Sequence, residues 1–205
     1  MGSSTALLAA PRAVMCLCSL LLDVALYRVS RQLGLESRLR WLLLLTSHVM
    51  LVFQLRTFGN SVAAVLLAAS LLLTGPGAAR RLASFAGLGA LTALGLFIHI
   101  TTPVFVAPLW LALVAELWLA RRPWRHVLLA GAVACAAALA TALACAAADT
   151  WFYFGTLRRP LELTPLNNLR YNWQRSNLAL HGLHPPITHL FINGFILLVG
   201  TRMTE

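Results

Sequence analysis

Long apolar runs alternate along this chain with short connections in which arginine is the dominant charge, and that alternation leaves few ways to fold. The runs occupy about 5–27, 41–55, 58–74, 82–100, 103–120 and 127–148, and a seventh starts at His189 and stops at Gly200. A helix rises about 1.5 Å per residue and a bilayer core is about 30 Å thick, so roughly 20 apolar residues make one crossing. Most of the runs meet that length. Inside lipid the backbone must satisfy its own hydrogen bonds, which makes such consecutive spans helices. Only 11% of the residues are charged and 60% are hydrophobic. Soluble domains carry about 25% charge, and disordered chains are still more polar. The expected fold class is therefore an all-α polytopic membrane protein.

The net charge of +10 comes from 16 arginines, with no lysine, against six acids. A basic surface on a soluble domain would point to nucleic acid. Here the arginines sit between apolar runs, the membrane pattern, and no nucleic-acid partner is expected. If the spans alternate, one side of the membrane receives Arg28, Arg31, Arg38, Arg40, Arg80, Arg81, Arg121, Arg122 and Arg125. The other receives Arg56 in a tight turn and an uncharged connection around His99 to Pro103. Nine arginines against one in short connections place the first side in the cytosol. The expected organisation is six transmembrane helices with short connections over 1–148, a luminal loop over 149–188, and the start of a further, truncated helix over 189–205. That last run of twelve residues covers only roughly 18 Å. The first run lacks a basic start and is interrupted by Pro11-Arg12, so it reads as a retained span rather than a signal peptide.

Small residues predict where helices meet. The sixth run holds Ala130, Ala134, Ala138, Ala142 and Ala146 at a spacing of four, one stripe along which another helix can approach closely. Gly87, Gly89 and Gly95 can do the same in the fourth run. Cys16, Cys18, Cys135 and Cys145 lie within apolar runs and read as apolar filler. Of the acids in spans, Asp23 can pair with Arg28, and Glu116 lies within reach of Arg121 and Arg122; both read as anchors near the cytosolic edge.

Two stretches carry chemistry. Arg56 is surrounded by Gln54, Thr57, Gly59, Asn60 and Ser61. A guanidinium at the membrane edge beside hydroxyls and an amide suits a phosphate or polar head group, and equally suits a snorkelling arginine at a turn. The second stretch runs from Asp149 to His189 and is rich in Asn, His, Tyr and Trp with few charges. Trp151 and Tyr153 are ordinary interface anchors. Asn167, Asn168, Tyr171, Asn172, His181 and His184 offer donors, acceptors and ring faces of the kind that hold sugar hydroxyls. His181, His184 and His189 lack a Cys or carboxylate to complete a metal set, and Pro185-Pro186 breaks any helix that would align them. No metal and no cofactor is expected. There is no Gly-rich phosphate loop or nucleophile elbow.

Arg56-Thr57-Phe58-Gly59-Asn60-Ser61 resembles the Arg-Thr-Phe-Ser-Asn-Ser/Thr signature of the endoplasmic-reticulum mannosyltransferases that use dolichyl phosphate mannose, glycosyltransferase family 22. Ala148 to Trp151, Leu163 to Asn172 and Asn177 to Gly182 are similar to the members that add the fourth, side-branch mannose of the GPI anchor. Thr188-His189 and Asn193-Gly194-Phe195 extend the likeness.

The resemblance implies part of a multi-helix transmembrane bundle of the GT-C type in the endoplasmic reticulum membrane, with 149–188 luminal. It implies transfer of mannose from a dolichyl phosphate mannose donor to the third mannose of a GPI glycolipid acceptor, in α-1,2 linkage, within membrane lipid. Arg56 and Asn60 become the expected donor-phosphate residues. Asn167, Asn168, Tyr171, Asn172, His181 and His184 become expected acceptor or luminal-loop residues. Departures are visible too. The family usually carries Glu where Ala63 stands and Arg where Ile100 stands, and some relatives have a basic residue at Pro186. The family's His-Pro-Asp-Glu motif, beside its proposed catalytic acid, does not occur, so the catalytic base is unassigned and the expectation is a fragment lacking that loop. The alternatives are a non-enzymatic multi-spanning protein (a transporter or lipid-binding subunit) and an inactive fragment of the transferase. In sealed microsomes a tag inserted beside Arg159 should resist added protease and one beside Arg122 should be cleaved. The reverse pattern overturns this orientation.

Overall fold

The computed structural model describes residues 4–32, 34, 59–174 and 176–177. Among them are helices α1 (Ser4–Gln32), α2 (Gly59–Leu73), α3 (Leu82–Ile98), α4 (Thr102–Leu119), α5 (Trp124–Phe154) and α6 (Thr164–Trp173), a 3-10 turn at Ala78–Arg80, and no strand. The chain divides into two units, Met1–Pro165 and Leu166–Glu205. The apolar runs expected at 41–55 and from His189 onward lie outside the described residues.

Ala9–Gln32 within α1, together with α4 and α5, is long and apolar enough to cross a membrane, and α2 and α3 are shorter apolar helices. This is an all-α polytopic membrane protein. The 31 residues of α5 reach roughly 46 Å, well past a core of about 30 Å. The 17 residues of α3 reach only roughly 25 Å, so the turn that follows α3 sits near the edge of the core.

The sixth apolar run of the sequence ends at Ala148. The helix continues through Asp149 and Thr150 and the aromatic residues to Phe154. It stops at Gly155, whose φ of 65° takes the left-handed conformation that ends helices, with its N–H donating to the Trp151 carbonyl at 2.8 Å. Helical backbone bonding outlasts the hydropathy, because an aromatic belt favours the interface as well as the core.

Within the first unit α3 is the element on which the others assemble. α5 runs along it, α2 and α4 flank it, and α1 packs on α2. Glycine makes the approach possible. A Cβ at Gly89 would overlap the Ala134 carbonyl oxygen and lie 3.1 Å from its carbon. At Gly87 it would meet Leu73 Cδ1 at 2.6 Å. On α5 the facing residues Ala130, Ala134, Ala146 and Thr150 are buried, along the stripe that the spacing of four predicts. Val127, Leu128, Leu139 and Leu143 are exposed on other faces. Phe85, Leu88, Val106, Leu113 and Leu117 fill the space between helices together with Ala78 and Ala79. Trp110 packs on this cluster, and its Nε1 donates to Thr92 Oγ1 at 3.1 Å.

The arginine-bearing connections come together at one end. The peptide of Ala79 is held from both sides: its N–H donates to Glu116 Oε2 at 3.4 Å, and its carbonyl accepts from His126 Nε2 at 2.9 Å. Glu116 thus ties α4 to the turn that carries Arg80, a bond the sequence had not marked. At the end of α4, Arg121 takes a φ of 47°. The N–H groups of Arg121 and Arg122 donate to the carbonyls of Trp118 and Leu117 at 3.0 and 3.1 Å, the usual glycine-bearing helix stop made here with arginine. Near the end of α1, Asp23 Oδ1 is buried without a hydrogen-bond partner.

Gly89→Ala should lower stability by about 1–3 kcal/mol, because the added methyl has backbone in its way. Gly131→Ala, where nothing lies within 4 Å, should be neutral or stabilising by up to about 1 kcal/mol. Thermal unfolding in detergent reads both, and parental stability of Gly89→Ala would refute the close approach.

Candidate functional site

At the end of the bundle opposite the arginine connections, α2 and the turn between α3 and α4 border a cavity of about 480 Å³. Its polar lining is Asn60 from α2 with His99, Thr101 and Thr102 from the turn; its apolar lining is Ala63, Ala64, Leu67 and Phe105. No charged side chain is among these lining residues. A cavity with one polar end and apolar walls in a membrane protein suits an amphiphile: a lipid chain along the walls and a polar group at the end.

Local sequence dictates the turn. α3 ends when His99 goes extended (φ −151°, ψ 117°), its N–H still donating to Gly95 O. Pro103, with no N–H to lose, is accommodated in the first turn of α4. Gly95 permits the two helices to start and stop so close together, since a Cβ there would lie 2.5 Å from Thr102 Cγ2. His99 Nδ1 and Thr101 Oγ1 are hydrogen-bonded at 2.6 Å. Gly59, the first residue of α2, faces this turn: a Cβ on it would stand 3.6 Å from Ile98 O and 3.8 Å from His99 Cδ2, ordinary contact distances. The Ser of the family signature at this position is thus sterically acceptable.

Of the expected site residues, Asn60 lines the cavity. Arg56, His181 and His184 lie outside the described residues. Asn167, Asn168, Tyr171 and Asn172 come together on α6, within the segment that the sequence treated as a loop. At 100° per residue, Asn167, Asn168 and Tyr171 share one face, while Leu166, Leu169 and Trp173 share the opposite one. These six side chains, and that of Asn172, are exposed. Asn172 Nδ2 donates to the carbonyl and to Oδ1 of Asn168, both at 2.8 Å. Asn177 Nδ2 donates to Tyr171 O at 3.1 Å and Gln174 Oε1 at 3.0 Å. Part of the asparagine content therefore builds the helix and its exit.

The path from α5 to α6 is fastened at the end of α5. Thr150 is fully buried; its Oγ1 donates to Ala146 O at 2.6 Å and accepts the Glu162 N–H at 2.7 Å. Asp149 Oδ2 accepts a hydrogen bond from the Thr164 hydroxyl. Asp149 is thus engaged in shaping the connection.

Sequence reasoning did not single out His99, Thr101, Thr102 or Phe105. The available signal was a His-Ile-Thr-Thr-Pro connection, polar yet uncharged, too short to reach far from the membrane. Among the described residues there is no group of three His, Cys, Asp or Glu able to hold a metal ion.

Fold and cavity together define a multi-spanning membrane protein with a cavity of mixed polar and apolar lining at one end of its bundle. The sequence model of the Alg9-like mannosyltransferase family matches residues 2–204, and the chain belongs to that family. It is 39% identical to a "GPI mannosyltransferase 4" of Eremothecium gossypii over 84% of this chain and 35% of that protein. It is 35% identical to a human "GPI alpha-1,2-mannosyltransferase 4" over 95% of this chain and 35% of that protein. A "GPI mannosyltransferase 4" of Emericella nidulans is 38% identical over 76% of this chain and 29% of that protein. The chain spans about a third of the length of these curated relatives. No solved structure matches it.

Thr150→Val keeps the buried shape but leaves the Glu162 N–H without its acceptor, a loss of about 1–3 kcal/mol. Tryptic cleavage after Arg158, in the exposed connection, should accelerate in this variant. Parental cleavage kinetics would show that Thr150 does not fasten the segment.

Proposed function

We propose that this protein transfers mannose from dolichyl phosphate mannose to the third mannose of a GPI glycolipid in α-1,2 linkage, at the luminal face of the endoplasmic reticulum membrane. One observation carries the reading: the family signature 56–61 runs into the start of α2, where Asn60 borders a cavity with a polar end and apolar walls. Family membership and the names of the relatives supply the chemistry of transfer. The donor's isoprenoid chain matches the apolar walls, and its phosphate matches the polar end.

Mannose on a lipid phosphate already has a good leaving group. Catalysis then needs positive or dipolar groups at the departing phosphate and a base on the acceptor hydroxyl. Arg56 and Asn60 serve the phosphate. Attack from the face opposite the phosphate turns the β-linked donor into an α-linked product. Among the described residues no carboxylate lines the cavity, so the base is assigned to none of them. Asn167, Asn168, Tyr171 and Asn172 on α6, with His181 and His184, are the acceptor-side or loop-building residues in this reading.

Expressed from its complete reading frame in cells lacking the side-branch mannose, the protein should restore that mannose. Arg56→Ala should abolish transfer while leaving membrane insertion intact, and Arg56→Lys should restore part of it, since a point charge lacks the planar fork. Full transfer by Arg56→Ala would remove Arg56 from the phosphate site.

A further inference from the structure

We infer that the turn between α3 and α4 holds the phosphate of a lipid-phosphate ligand through the His99 ring and the Thr102 hydroxyl, opposite Asn60. The inference rests on the donor reading above and deepens it by naming the uncharged half of the phosphate site.

The Thr102 hydroxyl is the main observation. Thr102 borders the cavity and is 1% exposed, and its Oγ1 is buried with no hydrogen-bond partner. Other threonines here satisfy their hydroxyls locally: Thr92 donates to Leu88 O and Thr150 to Ala146 O, each four residues back in its own helix. Thr102 opens α4 and has no helical turn behind it, so that solution is closed. A buried hydroxyl without a partner is costly, and native structures seldom leave one. An acceptor oxygen delivered by a ligand at this end of the cavity removes that cost.

His99 provides a second donor. His99 Nδ1 is engaged by the Thr101 hydroxyl, and the tautomer that can also bind a phosphate oxygen is the one in which Thr101 donates to Nδ1 and Nε2 carries the ring proton. The Cδ2 edge, next to Nε2, is the edge that faces Gly59 at the start of α2. Nε2 adjoins that edge, on the far side of the ring from the Nδ1 bond, and His99 and Asn60 line the same cavity. The 18-residue α4 begins at this point, and the positive end of its dipole favours an anion there. These groups bind without adding a full charge to a site near lipid depth, where each fixed charge is expensive.

Binding of a short-chain polyprenyl phosphate to the full chain in lipid nanodiscs tests this, with the matching polyprenol and inorganic phosphate as comparisons. The parent should bind the phosphate form at least tenfold more tightly than the alcohol. Thr102→Val keeps the methyl that packs on Gly95 and should weaken polyprenyl phosphate about tenfold or more while leaving polyprenol unchanged. His99→Ala should do the same, and Thr102→Ser and His99→Gln, which retain a donor, should recover most of the loss. Parental affinity in both Thr102→Val and His99→Ala, while Arg56→Ala loses binding, would overturn the inference and leave the donor reading standing. A parent that binds polyprenol as well as polyprenyl phosphate would overturn both. Displacement of the lipid by inorganic phosphate at equal concentration would assign the site to free phosphate instead. Should Thr102→Val fail to fold, as judged by loss of polyprenol binding, the His99→Ala and His99→Gln pair decides alone.

Discussion

The backbone of α3 rests directly on the backbone of α5 at Gly89 and Ala134, and the arrangement of the first unit depends on that approach. Lipid tails are as apolar as leucine, so spanning helices gain little from burying apolar side chains against each other. They associate where they can come close, through van der Waals packing along small-residue stripes. Here the stripe from Ala130 to Thr150 provides the track and Gly89 removes the remaining obstacle. With α3 held in place, both of its ends become fixed points, and the two ends differ in chemistry.

At one end the connections carry arginine and are bound to one another. Glu116 and His126 grip the Ala79 peptide, and Arg121 closes α4 in a left-handed conformation that glycine would adopt more easily. A side chain there costs about 1–2 kcal/mol relative to glycine, and in return a cation is held at the membrane surface beside a helix C-terminus. At the other end the turn from His99 to Thr102 carries hydroxyls and an imidazole and opens onto a cavity. One end is suited to fixing orientation in the membrane, the other to receiving a polar group from it.

Some of this was legible in the residues. Alternating apolar runs gave the helices, and the spacing of four among Ala130, Ala134 and Ala146 marked the buried face of α5. The Gly59-Asn60-Ser61 part of the family signature led to the helix that borders the cavity. Other features were not legible. His99 and Thr102 look like ordinary polar residues in a short connection until α2 is seen beside them. Nothing in the sequence pairs Asp149 with Thr164, and that bond arises only once the chain folds back fifteen residues later. The α6 helix lies in a segment read as loop because it falls between apolar runs; yet the apolar residues Leu166, Leu169 and Trp173 recur at helical spacing, a short signal within a polar stretch.

The sequence by itself determined that this chain lives in a membrane, that its backbone there is helical, and which connections carry the positive charge. Those properties follow from transfer free energies and backbone hydrogen bonding, which act on each segment locally. Tertiary structure alone decided which polar groups meet. Asn60 and His99 lie thirty-nine positions apart in the chain and share a cavity only because two short helices end at the same level. Likewise, the Thr102 hydroxyl is buried without a partner at the start of α4, a state that only the packing of the turn creates. Periodicity along a chain records which face of a helix is apolar; it holds no record of which neighbour that helix will find.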